Sequence, residues 1–389
     1  MGKILHRYFI FNFIGPFIGS FLFFVAFLLT FQLFRIMEIV VKKNVDWSVI
    51  LQLVGHMSVS FIPMSMPLAV FFSVIYAVSK MNDDAEVMAT RSVGFSKEQI
   101  FLPFLMTSIL LGGVLLSINQ QLIPHSQAIF KNQMVKLSSN SLLSEIKPGQ
   151  FFTEIPKITL FAKEVSGGGT NLERVFMSLD KGDQEQVITA SRGKLIIKNP
   201  KDENSTELPK IFFHFYNGVL FNGKNQLYKN SDSKYEKINF DEYFFPISTL
   251  DNEFSTVSKN SMLINSKLKN KIIDLKKKYS EEKKLDKKNQ YFKDLNKAKL
   301  ELFSRFNGPI QIVLFMLVGF CVGQRNLRKQ GDGNSSKGFI FILVYFLFFF
   351  FSISQAKKAV ISPELAIFFP TVVGLLYGIN LFRKSDWLS

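Results

Sequence analysis

Apolar and polar positions fall in long blocks along this chain. Residues 8–34, 47–79 and 99–130 contain no Asp, Glu, Lys or Arg, and neither do 306–324, 338–356 and 365–382. A helix needs roughly 20 apolar residues to cross the hydrocarbon core of a bilayer. The pattern therefore predicts six spanning helices, three before a polar middle and three after it. Pro63 and Pro67 predict a kink in the second. Gly112-Gly113 predicts a close helix approach in the third, which is expected to leave the membrane before Pro124.

Between about 141 and 258 the period changes. Lys147-Pro148-Gly149-Gln150 reads as a turn, followed by short strands at 158–165, 174–179, 187–198, 211–216, 218–221 and 236–244. Gly167-Gly168-Gly169 and Lys181-Gly182-Asp183 supply turns between them. No helical period intervenes, which favours a sandwich or jelly roll. In Ile211-Phe212-Phe213-His214-Phe215-Tyr216 both faces are apolar or aromatic. The residues alone leave open whether this is an apolar groove or an ordinary sandwich core.

Residues 261–305 return to helix as a Lys-rich stalk. Leu268, Ile272, Leu275 and Tyr279 form a seam that Phe292, Leu295, Lys299 and Leu302 are expected to continue, down into the fourth span. Thirteen Lys stand against six acids between Lys267 and Glu301, so the rest of this surface is solvated charge.

One polar stretch, 82–96, interrupts the first half. Asp83 with Glu86 three residues on is a capping-box pattern, and Gly94 sits where the resulting helix would stop. Val87, Met88 and Val93 would form its small apolar side, with Glu86 and Arg91 facing outward. Such a helix is either a plain connector or a contact for a partner.

Charge orients the spans. Lys3, Arg7, Lys80, Arg91, Lys97, Arg325, Arg328, Lys329, Lys337, Arg383 and Lys384 fall on one side, eleven in all. Arg35, Lys42, Lys43, Lys357 and Lys358, five in all, fall on the other. The positive-inside bias places both termini and the 82–96 helix in the cytoplasm and the middle domain outside, in the periplasm of a bacterium with two membranes. Nearly half of the net charge of +16 resides in the Lys-rich stretch, which lacks interleaved aromatic platforms, so nucleic acid is not an expected partner. The single cysteine, Cys321, excludes a disulfide framework. Lys3, His6 and Arg7 precede a long apolar run with no small-residue cleavage site, which reads as an uncleaved first span. There is no Gly-x-x-x-x-Gly-Lys-Ser/Thr loop, no Gly-x-Ser-x-Gly elbow and no His-Glu-x-x-His, so no enzymatic centre, metal site or cofactor is expected.

Four segments carry a family resemblance. Glu86-Val87-Met88-Ala89-Thr90-Arg91-Ser92-Val93-Gly94-Phe95-Ser96 resembles the coupling helix of the LptF/LptG permeases, with Thr90 where Leu is usual. Lys147-Pro148-Gly149-Gln150-Phe151, Ile188-Thr189-Ala190-Ser191-Arg192-Gly193-Lys194-Leu195 and Glu301-Leu302-Phe303-Ser304-Arg305-Phe306-Asn307-Gly308-Pro309 are also similar to that family. Val322-Gly323 stands where Pro-Leu-Gly is common, and the stalk is longer than in many members.

The resemblance implies an α+β membrane protein with spans one to three in 1–130 and a periplasmic β-jelly-roll-like domain in 131–260. The stalk in 261–305 and spans four to six in 306–389 would follow. It implies a non-enzymatic permease subunit of an ABC transporter that exports lipopolysaccharide. The implied partners are a cytoplasmic ATPase dimer that uses the ATP, a second homologous permease subunit, a single-span accessory subunit and a periplasmic bridge protein. Asp83, Asp84, Glu86, Arg91 and Gly94 would couple to the ATPase. Arg35, Lys42, Lys43, Phe212, His214 and Tyr216 would meet lipopolysaccharide. A permease for lipoprotein or peptide, or a non-transporting scaffold or sensor, remains the alternative.

Overall fold

The computed structural model describes residues 2–43, 46–153, 158–180, 184–198, 210–224, 236–246, 260–282, 284–324 and 334–384. The side chains of 35–43 and 135–145 are not part of that description. Two compact units emerge: Met1–Ile39, Asp46–Gln127 and Lys259–Ser389 form one, Val40–Val45 and Ala128–Ser258 the other.

The helical unit begins with α1 (Gly2–Lys43), α2 (Trp47–Asp83) and the short α3 (Glu86–Ser92). It continues with α4 (Lys97–Ser117), a π-helical turn (Ile118–Leu122) and the first turn of α5 (Ile123–Glu145), whose residues from Ala128 on belong to the other unit. After the sheet come α6 (Asn265–Glu281), α7 (Leu285–Gly323), α8 (Asn334–Lys357) and α9 (Pro363–Lys384). Among the described residues six stretches are long and apolar enough to cross a membrane, three before the sheet in sequence and three after it, as the blocks of apolar residues predict. In the third, the helix passes through Pro124 to Glu145. A proline cannot donate to the carbonyl four residues back, and the π turn just before it rearranges those bonds locally. Pro63 and Pro67 likewise lie inside an unbroken α2.

Inside a bilayer, apolar helices gain little from leaving lipid, so close packing must hold them together. Val70, Val74, Val78 and Met81 of α2 meet Ile312, Met316 and Phe320 of α7 in one buried cluster, with Phe9 and Phe13 of α1 and Phe104 of α4. The closest approach is at Gly319, where an added Cβ would lie 2.4 Å from Val74 and 3.0 Å from the Phe71 carbonyl. At the predicted pair, an added Cβ on Gly112 would be in ordinary contact with Pro309, at 3.4 Å, and one on Gly113 would have nothing within 4 Å. A small residue in an apolar run does not announce which neighbour it will meet.

The Lys-rich stretch is two helices, not one continuous stalk. Tyr279 of α6 stacks against Phe292 of α7, ring centroids 5.5 Å apart. Leu268 and Leu275 share a cluster with Leu295 and Ala298, and Leu263 with Leu302. The seam halves face each other because folding back buries both, whereas a straight stalk would leave them wet. Ala298, not Lys299, sits in the seam. Lys299 instead pairs with Glu364 at the start of α9, at 3.0 Å.

The other unit is a six-stranded antiparallel sheet in meander order: β1 (Phe151–Phe152), β2 (Ile158–Ser166), β3 (Asn171–Asp180), β4 (Gln184–Lys198), β5 (Lys210–Lys224) and β6 (Glu236–Pro246). The two strands expected at 211–216 and 218–221 are one. The paired ladder skips one row across β2 to β6, at Lys163, Arg174, Ser191, Asn217 and Asp241. Arg174 and Asn217 there take left-handed backbone angles, φ 50° and 49°. On either side of this row the inward-facing positions differ by an odd step: Ala162 then Val165, Leu172 then Val175, Ala190 then Gly193, Phe240 then Tyr243. A slip in one strand would turn its apolar set outward. Because β2 to β6 shift face together, register survives and both halves feed a single core. The inserted β-domain is present as one antiparallel sheet, and among the described residues its strands follow one another in meander order.

Candidate functional site

α2 runs four residues beyond its apolar stretch and ends on Asp83; Asp84 closes it, its N–H donating to the Lys80 carbonyl at 2.9 Å. Ala85 then turns the chain with a left-handed φ of 56° and no side-chain cap, and α3 starts at Glu86. The Asp83–Glu86 capping box therefore does not form, because Asp83 still belongs to the preceding helix. The box lies thirteen residues on. Ser96 Oγ accepts from the Gln99 N–H at 3.3 Å, and Gln99 Oε1 accepts from the Ser96 N–H at 2.9 Å, at the start of α4.

The predicted stop at Gly94 is present. Its φ of 96° lets its N–H donate to the Arg91 carbonyl at 2.8 Å while the Phe95 N–H reaches that of Thr90 at 3.4 Å. These two bonds are the Schellman closure of a helix end, and the positive φ favours glycine there.

The faces of α3 are not divided as its sequence suggests. Val87 is 3% exposed and belongs to the bundle core, whereas Met88 and Val93 are 56% and 71% exposed. α3 thus points one apolar residue inward as an anchor and presents two outward. Arg91 is half-buried, and Asp83 and Asp84 are exposed. Glu86 is half-buried rather than simply outward-facing. Its Oε1 accepts from the Tyr8 hydroxyl of α1 at 2.5 Å, while its Oε2 is buried and has no partner among the described residues.

Tyr8 is a site residue that no sequence pattern exposes, since 78 positions separate it from Glu86. Above it, α1 and α2 enclose a cleft of about 860 Å³ lined by Phe11, Asn12, Pro16, Phe72, Tyr76 and Lys80 among others.

Arg35, Lys42 and Lys43 lie in the last turns of the α1 backbone, and their side chains are outside the described residues. Phe212, His214 and Tyr216 share the face of β5 opposite the buried Phe213 and Phe215. His214 is only 7% exposed. Phe244 stacks on its ring at 3.8 Å, the Tyr216 hydroxyl bonds its Nδ1 at 2.8 Å, and its Nε2 meets Glu242 at 3.1 Å. The structure brings His214 and Tyr216 into one polar–aromatic cluster with two residues of β6, and covers the histidine rather than opening it.

A buried polar group also stands inside the helical unit. Arg305 of α7, 5% exposed, donates to Glu301, to Asn265 and to the backbone carbonyls of Asn260, Ser261 and Leu263. Gln311, Tyr345 and Thr371 form a chain of 2.9 Å hydrogen bonds across α7, α8 and α9. No group of three or more His, Cys, Asp or Glu suited to a metal occurs among the described residues.

Six spans in two sets of three, a β-domain inserted between the sets and a short polar helix between spans two and three define a multi-pass membrane protein built as a transporter component. The family model of the lipopolysaccharide export system permease LptF/LptG matches residues 7–384, and the chain belongs to that family. No curated protein matches the chain.

Proposed function

We propose that the chain is a lipopolysaccharide-export permease subunit of the bacterial inner membrane that takes its drive from a separate ATPase dimer through α3. The observation that carries this reading is the outward face of α3. Met88 and Val93 stand exposed beside a carboxylate with one buried, unpartnered oxygen, while Val87 keys the same helix into the span core. An apolar pair around a polar anchor is how a small contact gains both energy and register. In this reading Asp83, Asp84, Glu86 and Arg91 face the ATPase, with Gly94 setting where the helix ends, and the partner alone binds ATP.

Both termini are then cytoplasmic and the sheet is periplasmic. A second permease subunit faces this one. Lipopolysaccharide is drawn from the outer leaflet past Arg35, Lys42 and Lys43, whose charges suit its phosphates. It then passes the β-domain, where Phe212, His214 and Tyr216 lie, to a periplasmic bridge, with a single-span accessory subunit beside the pair.

The test is Glu86→Lys in the purified assembly. At the positive end of a helix a lysine costs only about 0.3–1 kcal/mol, too little to unfold a six-span protein. Truncating one member of a buried charged contact costs roughly 2–5 kcal/mol. Normal insertion with loss of the ATPase subunit, or with ATP turnover uncoupled from export, is the expected result. Full export with Glu86→Lys would make α3 a connector only.

A further inference from the structure

The Tyr8–Glu86 bond joins α3 to a part of the chain that the coupling reading above does not involve. α1 leans on the bundle through Phe9, which stacks on Phe104 at 6.1 Å, and Phe13, which meets the same ring edge-on at 6.3 Å. Phe17, Phe21 and Phe24 continue that contact along α1. Beyond them the helix stands clear, with Phe27, Phe31 and Phe34 50%, 63% and 75% exposed. Tyr8 is held by the packing of its neighbour Phe9, so its hydroxyl is aimed at Glu86 by a fixed ring cluster rather than by a loose terminus.

That hydroxyl donates to Oε1 and leaves Oε2 as a covered acceptor without a donor among the described residues. A hydrogen bond to a carboxylate is about twice as strong as a neutral one. A buried acceptor left bare is costly, so a shift of α3 that uncovers Oε2 toward an N–H donor is favoured.

Resting on the coupling reading, we propose that Tyr8 is a positioning residue of the coupling site. Its hydroxyl holds the Glu86 carboxylate through Oε1, so that Oε2, once a shift of α3 uncovers it, meets a cationic N–H donor, an Arg or Lys, on the ATPase subunit, and it makes α1 move with α3. From Tyr8 to Arg35 a straight helix extends about 40 Å. A small tilt imposed at Tyr8 therefore becomes a larger displacement at the far end of α1. The open cleft between α1 and α2 gives the tilt room.

The experiment uses the whole assembly, permease pair and ATPase dimer, in nanodiscs containing lipopolysaccharide. Tyr8→Phe keeps the ring and its packing and removes only the hydroxyl. The ATPase subunit should be retained and ATP hydrolysed, while lipopolysaccharide released per ATP falls about tenfold. Spin labels at Phe11→Cys and Ser92→Cys should show a broadened distance distribution in the Tyr8→Phe background. Glu86→Gln keeps an acceptor for Tyr8 and loses the charge. It should weaken ATPase retention yet leave that distribution narrow, and adding Tyr8→Phe should broaden it. Wild-type release per ATP together with an unchanged distribution in Tyr8→Phe would overturn the inference and leave the coupling reading standing. Retention of the ATPase with full export in Glu86→Lys would overturn both.

Discussion

Arg305 and Asn265, forty residues apart, are joined by a 2.7 Å hydrogen bond that pins the first turn of α6 against α7. The guanidinium spreads its remaining bonds over Glu301 and three backbone carbonyls of 260–263. A planar fork with five N–H groups can serve so many acceptors, and a lysine cannot. Arg305→Ala is expected to destabilise the protein by about 3–5 kcal/mol, because Glu301 and the carbonyls lose their donor. Arg305→Lys should recover only part of this. Thermal unfolding in detergent measures both, and Glu301→Gln combined with Arg305→Ala should be milder than Arg305→Ala alone.

Two glycines in apolar helices should behave oppositely. Gly319→Ala places a methyl 2.4 Å from Val74 Cγ1, so α2 and α7 must separate. Overpacking of this kind costs about 1–3 kcal/mol. Gly113 has nothing within 4 Å, and there alanine should stabilise the helix by up to about 1 kcal/mol. Melting temperatures of the two purified variants decide the matter.

On α3, adjacent substitutions should separate folding from assembly. Val87→Asp puts a charge into a position 3% exposed and should abolish stable expression. Met88→Asp and Val93→Asp alter residues 56% and 71% exposed, so the protein should fold and lose the ATPase subunit on co-purification. Equal retention by Met88→Asp and wild type would remove this face from the interface.

The basic asymmetry of the loops predicts that a reporter fused after Gly168 is periplasmic and one after Gly333 cytoplasmic. Gly168 sits in the β2–β3 turn with φ 65°, where an insertion disturbs no ladder pair. A cytoplasmic signal at Gly168 would reverse the proposed orientation.

Arg35→Glu should cut lipopolysaccharide cross-linking and release, with Arg35→Lys less affected, because a guanidinium binds phosphate in a fork and an ammonium as a point charge. If the site is partly dehydrated, the difference should change little with salt. Normal export by Arg35→Glu would reduce the residue to a headgroup anchor.

The sequence by itself determined the six spans, the inserted sheet and the end of α3, because each rests on a local rule. Charge-free runs measure membrane thickness, turn glycines punctuate strands, and Gly94 alone tolerates the angle that closes the helix. The false capping box shows the limit of such rules: Asp83 and Glu86 have the spacing, but α2 had not yet ended. Tertiary structure alone decided what residues distant in the chain do together. The stalk folds back because its two seam halves need each other, and five strands shift face at one row because a sheet keeps register only if they shift together. Tyr8 meets Glu86 because Phe9 and Phe13 pack on Phe104. None of these has a local signature, since each depends on where a second, distant segment comes to rest.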